Sequence, residues 1–159
     1  MKHRAFTLVE LLVVIAIVGL LSGVAVVATN NARQKAKIAK ANADIQQIYK
    51  RIDLVRNNNN LVLMSITGSN ASDWPCRSRN LDGLATSDSC IISMTNTFAT
   101  LGITPLPRDP WGHPYLIDEN ELEGGGCVSD NLYSAGLDFV DSGGAGDDIN
   151  FAIPMYYCH

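Results

Sequence analysis

Lys2-His3-Arg4-Ala5-Phe6-Thr7-Leu8-Val9-Glu10 opens the chain, and an apolar run follows to Ala28, interrupted only by Ser22 and by the small residues Gly19 and Gly23. A stretch of that length can cross the ~30 Å hydrocarbon core of a bilayer as a helix, so the chain is built to sit in a membrane at some stage. Glu10 is out of place there. A carboxylate inside a span costs roughly 2.5 to 3.5 kcal/mol even on the lenient insertion scale, which demands a partner or a function.

An ordinary secretory signal or a plain signal anchor would also present a basic start and an apolar run. Ala25 and Ala28 could serve a secretory cleavage site after the run. Neither has a use for Glu10. Packed helices of a filament do, because Glu10 could neutralise a freed amino terminus on a neighbouring copy away from water.

The helical pattern continues past the span. Ile38, Ile45, Ile48, Ile52 and Val55 recur at steps of seven, three, four and three, and no proline occurs before Pro75. One helix over about 6–56 would be about 75 Å long. Four asparagines, Asn57 to Asn60, supply its stop, since Asn tolerates the left-handed conformation. The stripe at 29–56 is an amphipathic continuation that carries a head domain, 57–159, of about 100 residues. Within the head, 91–101 reads as a short helix in a loop-rich region. Strands are expected at 115–117, 128–133 and 149–156. The class is therefore α+β, a long amino-terminal helix packed on a small antiparallel sheet.

The 159 residues carry a formal charge of −4, and the basic residues after the span cluster at Arg33, Lys35, Lys37 and Lys40. Bulk charge gives no support for nucleic-acid binding. By the positive-inside rule alone, that basic stretch would hold the head in the cytoplasm. The cysteines argue otherwise. Cys76, Cys90, Cys127 and Cys158 are even in number, lie in Ser-, Asn- and Gly-rich segments, and lack the close spacing of a zinc site. Of three possible pairings, Cys76 with Cys90 and Cys127 with Cys158 each close one local loop.

Trp74-Pro75 with Arg77 and Arg79 could form a surface patch, but the expected role of Trp74 is to anchor the loop between Cys76 and Cys90. Asp109-Pro110-Trp111-Gly112-His113-Pro114-Tyr115 reads as a turn, with His113 on the surface. Further on, Asp138, Asp141, Asp147 and Asp148 sit among glycines. Oxygen ligands of that kind can surround calcium, and the same composition also makes a plain solvated turn. No Gly-x-Ser-x-Gly, no His-Glu-x-x-His and no phosphate-cradling glycine loop occurs. The histidines stand apart at His3, His113 and His159, so no enzyme is expected.

The leader, the Phe-Thr-Leu-Val-Glu block, the apolar helix, the Asp-Pro-Trp-Gly-x-Pro-Tyr block and the Gly/Asp loop together resemble type IV pilins and the major pseudopilins of type II secretion. The resemblance implies a pilin-like fold and a structural role. A prepilin peptidase would remove 1–5 by cutting between Ala5 and Phe6, with methylation of Phe6. Ala5 departs from the glycine usual before the cut. The helix at 6–28 would stay in the cytoplasmic membrane, single-pass, with the head outside the cytoplasm. Glu10 would then drive assembly into a helical homopolymer in the periplasm or at the cell surface. An inner-membrane assembly platform and minor pilins or pseudopilins would be partners. The resemblance further implies calcium held by Asp138, Asp147 and Asp148, with Asp141 and carbonyls near Leu137 and Gly143 as additional ligands. It leaves 61–101 unmatched. It does not separate a secretion pseudopilus from a pilus for adhesion, twitching or DNA uptake, and a calcium-dependent, lectin-like surface-binding role remains a further alternative.

Overall fold

The computed structural model describes residues 7–69, 71–144 and 146–158, the side chains of 24–28 excepted. Helix α1, Leu8–Asn59, contributes to both of the compact units into which the chain divides, 1–36 and 37–159.

In the first unit every described Leu, Val and Ile from Leu8 to Leu21 is exposed, on all sides of the helix. Soluble monomers rarely carry such a continuous apolar surface. Among the described residues no helix is long and apolar enough to cross a membrane. The helix starts with a reciprocal pair of bonds. Thr7 N and Thr7 Oγ1 donate to Glu10 Oε2 at 2.9 and 2.8 Å, and Glu10 N donates back to Thr7 Oγ1 at 3.3 Å. This is a capping box, which satisfies amide groups that a helix start leaves without partners.

The second unit is organised by one face of α1. Ala41, Ile45, Ile48 and Ile52 are buried there and Val55 packs against them, as the three-four spacing requires. Ile38, the first member of the predicted stripe, is 45 % exposed instead. It lies almost one turn before Ala41, where burial begins. The helix also runs three residues past its expected end, to Asn59, and Asn60 takes the left-handed conformation at φ 54°.

Across the core from α1 stand Leu116, Ile117, Leu132, Tyr133 and Ile153. They belong to an antiparallel meander of β1 (Leu116–Asp118), β2 (Asp130–Ser134) and β3 (Ile149–Ile153), in register Leu116 with Tyr133 and Asp130 with Ile153. The strands are shorter or shifted relative to their predicted bounds. β3 stops at Ile153 because Pro154 offers no amide proton. The N–H groups of Tyr156, Tyr157 and Cys158 turn instead to Glu121 Oε1.

Helix α2 (Leu63–Thr67) is closed by the left-handed Gly68 and occupies a region read from the sequence as loop. Helix α3 (Ser89–Thr100) begins two residues before the expected 91. Asp88 caps it by accepting from Cys90 N, and Arg79 pairs with Asp88 at 2.7 Å. At the far end Arg51 Nε donates to Leu101 O at 2.7 Å. Gly102 (φ 69°) has no room for a side chain there, since a Cβ would strike the Arg51 guanidinium. Disulfides join Cys76 to Cys90 and Cys127 to Cys158, with Cα separations of 4.8 and 5.7 Å.

Arg56, 2 % exposed, ties the end of α1 to the carboxyl-terminal segment. Its Nη1 donates to Pro154 O at 3.0 Å and lies 3.8 Å from the fully buried Glu121, and the guanidinium covers the Tyr156 ring. Arg56→Ala leaves Glu121 in the interior without its countercharge and is expected to cost about 3 to 5 kcal/mol. Denaturant unfolding of the full chain in detergent measures this. A loss below about 1 kcal/mol would show that the pair behaves as an exposed one.

Candidate functional site

Two regions carry the residues singled out in the sequence. At the amino terminus, Ala5 and Phe6 lie outside the described residues. Glu10 is exposed and serves the Thr7 capping box. The signal for this was present as Thr-x-x-Glu before an apolar run.

The second region is the acidic loop between β2 and β3. Asp147 Oδ2 accepts from Leu137 N and Asp138 N at 2.8 and 3.0 Å. Asp148 Oδ2 accepts from Ser142 N and Gly144 N at 3.1 and 2.8 Å, and Asp141 Oδ1 accepts from Gly143 N at 2.8 Å. Asp138 Oδ1 turns to Val140 N at 2.9 Å. Gly136 (φ 67°) lets the chain pass against Asp147, whose carbonyl a Cβ would strike.

Many of these carboxylate oxygens thus organise the loop backbone. Among the described residues no group of three or more His, Cys, Asp or Glu side chains is gathered to hold a metal ion. Two buried oxygens nevertheless have no hydrogen-bond partner, Asp148 Oδ1 and Asp141 Oδ2. Burial, aided by the charges of Asp141 and Asp147, pushes Asp148 up to about 6 against the N–H groups of Gly144 and Ser142. Burial alone would raise Asp147 too, but the amides of Asp138 and Leu137 outweigh it and hold that carboxyl below the usual range. Oxygen donors with buried, uncompensated charge fit a hard cation such as calcium.

Three side chains stand where the sequence did not put them. His113 is 3 % exposed, against the Phe139 ring at 4.7 Å with Asp109 beside it, and is not a surface residue. Its N–H donates to Asp109 Oδ1 at 2.9 Å, which draws the ring inward with the turn. Trp74 is 69 % exposed and anchors nothing. The disulfide and the buried Asp73 hold its loop, and Arg77 lies over the indole. Arg77 itself pairs with Asp73 at 3.0 Å and with Asp118 at 2.6 Å, next to the Tyr133 hydroxyl, which donates to Asp73. No motif announces this buried group, or Glu119, which accepts from Ser72 N and Oγ at 2.9 and 2.6 Å.

A model of the prokaryotic N-terminal methylation motif matches residues 1–26. The chain is similar to type II secretion system core protein G of Pectobacterium carotovorum subsp. carotovorum, 30 % identical over 148 residues, covering 93 % of this chain and 83 % of that protein. The protein of the same name from Aeromonas hydrophila is 29 % identical over 148 residues, covering 93 % and 91 %. That of Escherichia coli K12 is 30 % identical over 116 residues, covering 73 % and 72 %. No solved structure matches the chain.

Burial raises the carboxyls of Asp73, Glu119 and Asp130 above their ordinary values. Between the unfolded and folded pKa the native state then binds more protons, so stability falls as pH rises through that window and grows as pH drops. Through these three groups the melting temperature is expected to rise between pH 7 and pH 5, and the rise should shrink in Glu119→Gln. Thermal scans in chelator test it. A melting temperature that falls over that interval, or an unchanged slope in Glu119→Gln, contradicts the assignment.

Proposed function

Because the chain belongs to the family of type II secretion system core protein G, we infer that it is a structural subunit that polymerises into the pseudopilus of a type II secretion system. The observation that carries this reading is the all-round apolar surface of α1 from Leu8 to Leu21, which only lipid or other copies of the same helix can cover. A prepilin peptidase releases 1–5, Phe6 is methylated, and the helix waits in the cytoplasmic membrane with the head on the oxidising side, where both disulfides form. The basic stretch after the span stands against that orientation by charge count, but the disulfides require it. The role is structural and not catalytic.

Glu10 has two tasks in this account, the cap of its own helix and neutralisation of a neighbour's amino terminus. Glu10→Gln separates them, since Gln also completes a capping box but carries no charge. The variant is expected to be processed and retained in the membrane, yet to give little sheared filament. Normal yield would remove the charge pairing. Intact mass of wild-type filaments checks the cut site, with methylated Phe6 as the expected first residue.

For the acidic loop we propose calcium, held by Asp148 and Asp141 through their unpartnered oxygens and by Asp138, Asp147 and the carbonyls near Leu137 and Gly143. When bound, the ion would offset the clustered negative charge. At a free concentration a hundredfold above its dissociation constant it adds about 2.7 kcal/mol by mass action. Chelator should therefore lower the melting temperature, and Asp148→Asn should abolish the response. Superimposable melting curves in calcium and in excess chelator would leave the loop as a turn held by its own carboxylates.

A further inference from the structure

Trp74 is the most exposed large apolar side chain described in 37–159, yet its position is fixed. Trp74 N donates to Ala71 O at 3.1 Å, Cys76 N to Asp73 O at 2.7 Å, and Cys76 is tied to Cys90. Arg77 lies 5.6 Å from the ring centroid and is held in turn by Asp73 and Asp118. An indole kept in water in one orientation loses little rotamer freedom on docking, and Trp beside Arg is the composition of an interface hot spot.

Charge narrows the occupant. Residues 57–159 hold thirteen Asp and Glu but only three Arg, two of which, Arg77 and Arg79, flank Trp74. Their side chains remain 36 % and 39 % exposed despite their ion pairs. Acidic heads repel one another in general, and this is the place where a second acidic copy is drawn in.

The same head carries another apolar patch, braced by the other disulfide. Glu121 collects the N–H groups of Tyr156, Tyr157 and Cys158, and Cys158 is bonded to Cys127. That arrangement gathers Leu122, Val128 and Tyr157, exposed by 37, 57 and 50 %, with Glu123 exposed beside them. Two different patches on one subunit make a heterologous contact, which propagates as a helical filament when the rotation does not close.

We propose that Trp74 of one copy docks on the Leu122, Val128 and Tyr157 patch of the next copy along the filament, with Arg77 and Arg79 facing its acidic rim. This rests on the pseudopilus reading and adds the contact between heads. The test uses the full chain in cells that assemble its filament, with the photoreactive residue benzoylphenylalanine at position 74. Irradiation is expected to give a covalent dimer whose cross-linked peptide comes from 120–128 or 154–158 of another copy. Trp74→Ala should lower sheared filament yield about tenfold with subunit level, leader removal and both disulfides unchanged, and Trp74→Phe should restore most of it. Cross-links from 74 that map elsewhere on the chain or to a different protein, or full filament yield from Trp74→Ala, overturn the docking and leave the pseudopilus reading standing. Absence of filaments from the wild-type chain overturns both.

Discussion

Carboxylate oxygens accepting main-chain N–H groups hold this head together. Three short strands form its sheet, so most backbone amides beyond α3 find no ladder partner and must be satisfied in another way. Asp109 takes those of Trp111 and His113, Asp130 those of Asn120 and Glu121, and Glu121 those of the carboxyl-terminal turn. Hydrogen bonds to an ionised acceptor are worth about 1.5 to 3 kcal/mol each, enough to keep a loop in one conformation. The acidity of the chain thus has an internal origin, because many of its carboxylates face inward and Glu119, Glu121 and Asp141 are fully buried.

The two halves of α1 obey opposite rules. In 1–36 the helix is apolar on every side and leaves that surface open. In 37–159 it is apolar on one face, which the sheet and α3 cover. The change of pattern falls at the basic cluster, where solvation of Lys and Arg suits neither lipid nor core. A single uninterrupted helix can therefore satisfy assembly with one stretch and folding with the other.

Elements with a repeating signal were legible in the sequence. The 3.6-residue period located α1, the apolar run at 91–101 located α3, and loop closure favoured the pairing seen between the four cysteines. Signals without a period were read less well. Ile38 keeps the phase of its stripe, but nothing local tells where the head stops covering it. Trp74 and His113 were exchanged, surface for interior, because average burial preferences were applied to residues whose positions are set by neighbours. The Asp109 bond to the His113 amide and the Cys76–Cys90 tether are tertiary facts with no local pattern. The same applies to Arg56, Glu119 and Glu121, since an acid or a guanidinium destined for the interior looks identical in sequence to one facing water. In the acidic loop the composition marked the region, while the division between oxygens bound to amides and oxygens left open came only from geometry.

A carboxylate that grips a main-chain amide is indifferent to the side chain attached to it. Ser72, Trp111, His113, Asn120, Tyr156 and Tyr157 all supply the same N–H group to their acceptors, so most replacements there leave the bond intact. Proline is the exception, having no proton to give. The loops of such a head are free to diverge so long as a handful of acids persist and proline stays away from the donor positions. That freedom lets the outer surface of a filament change while its scaffold does not.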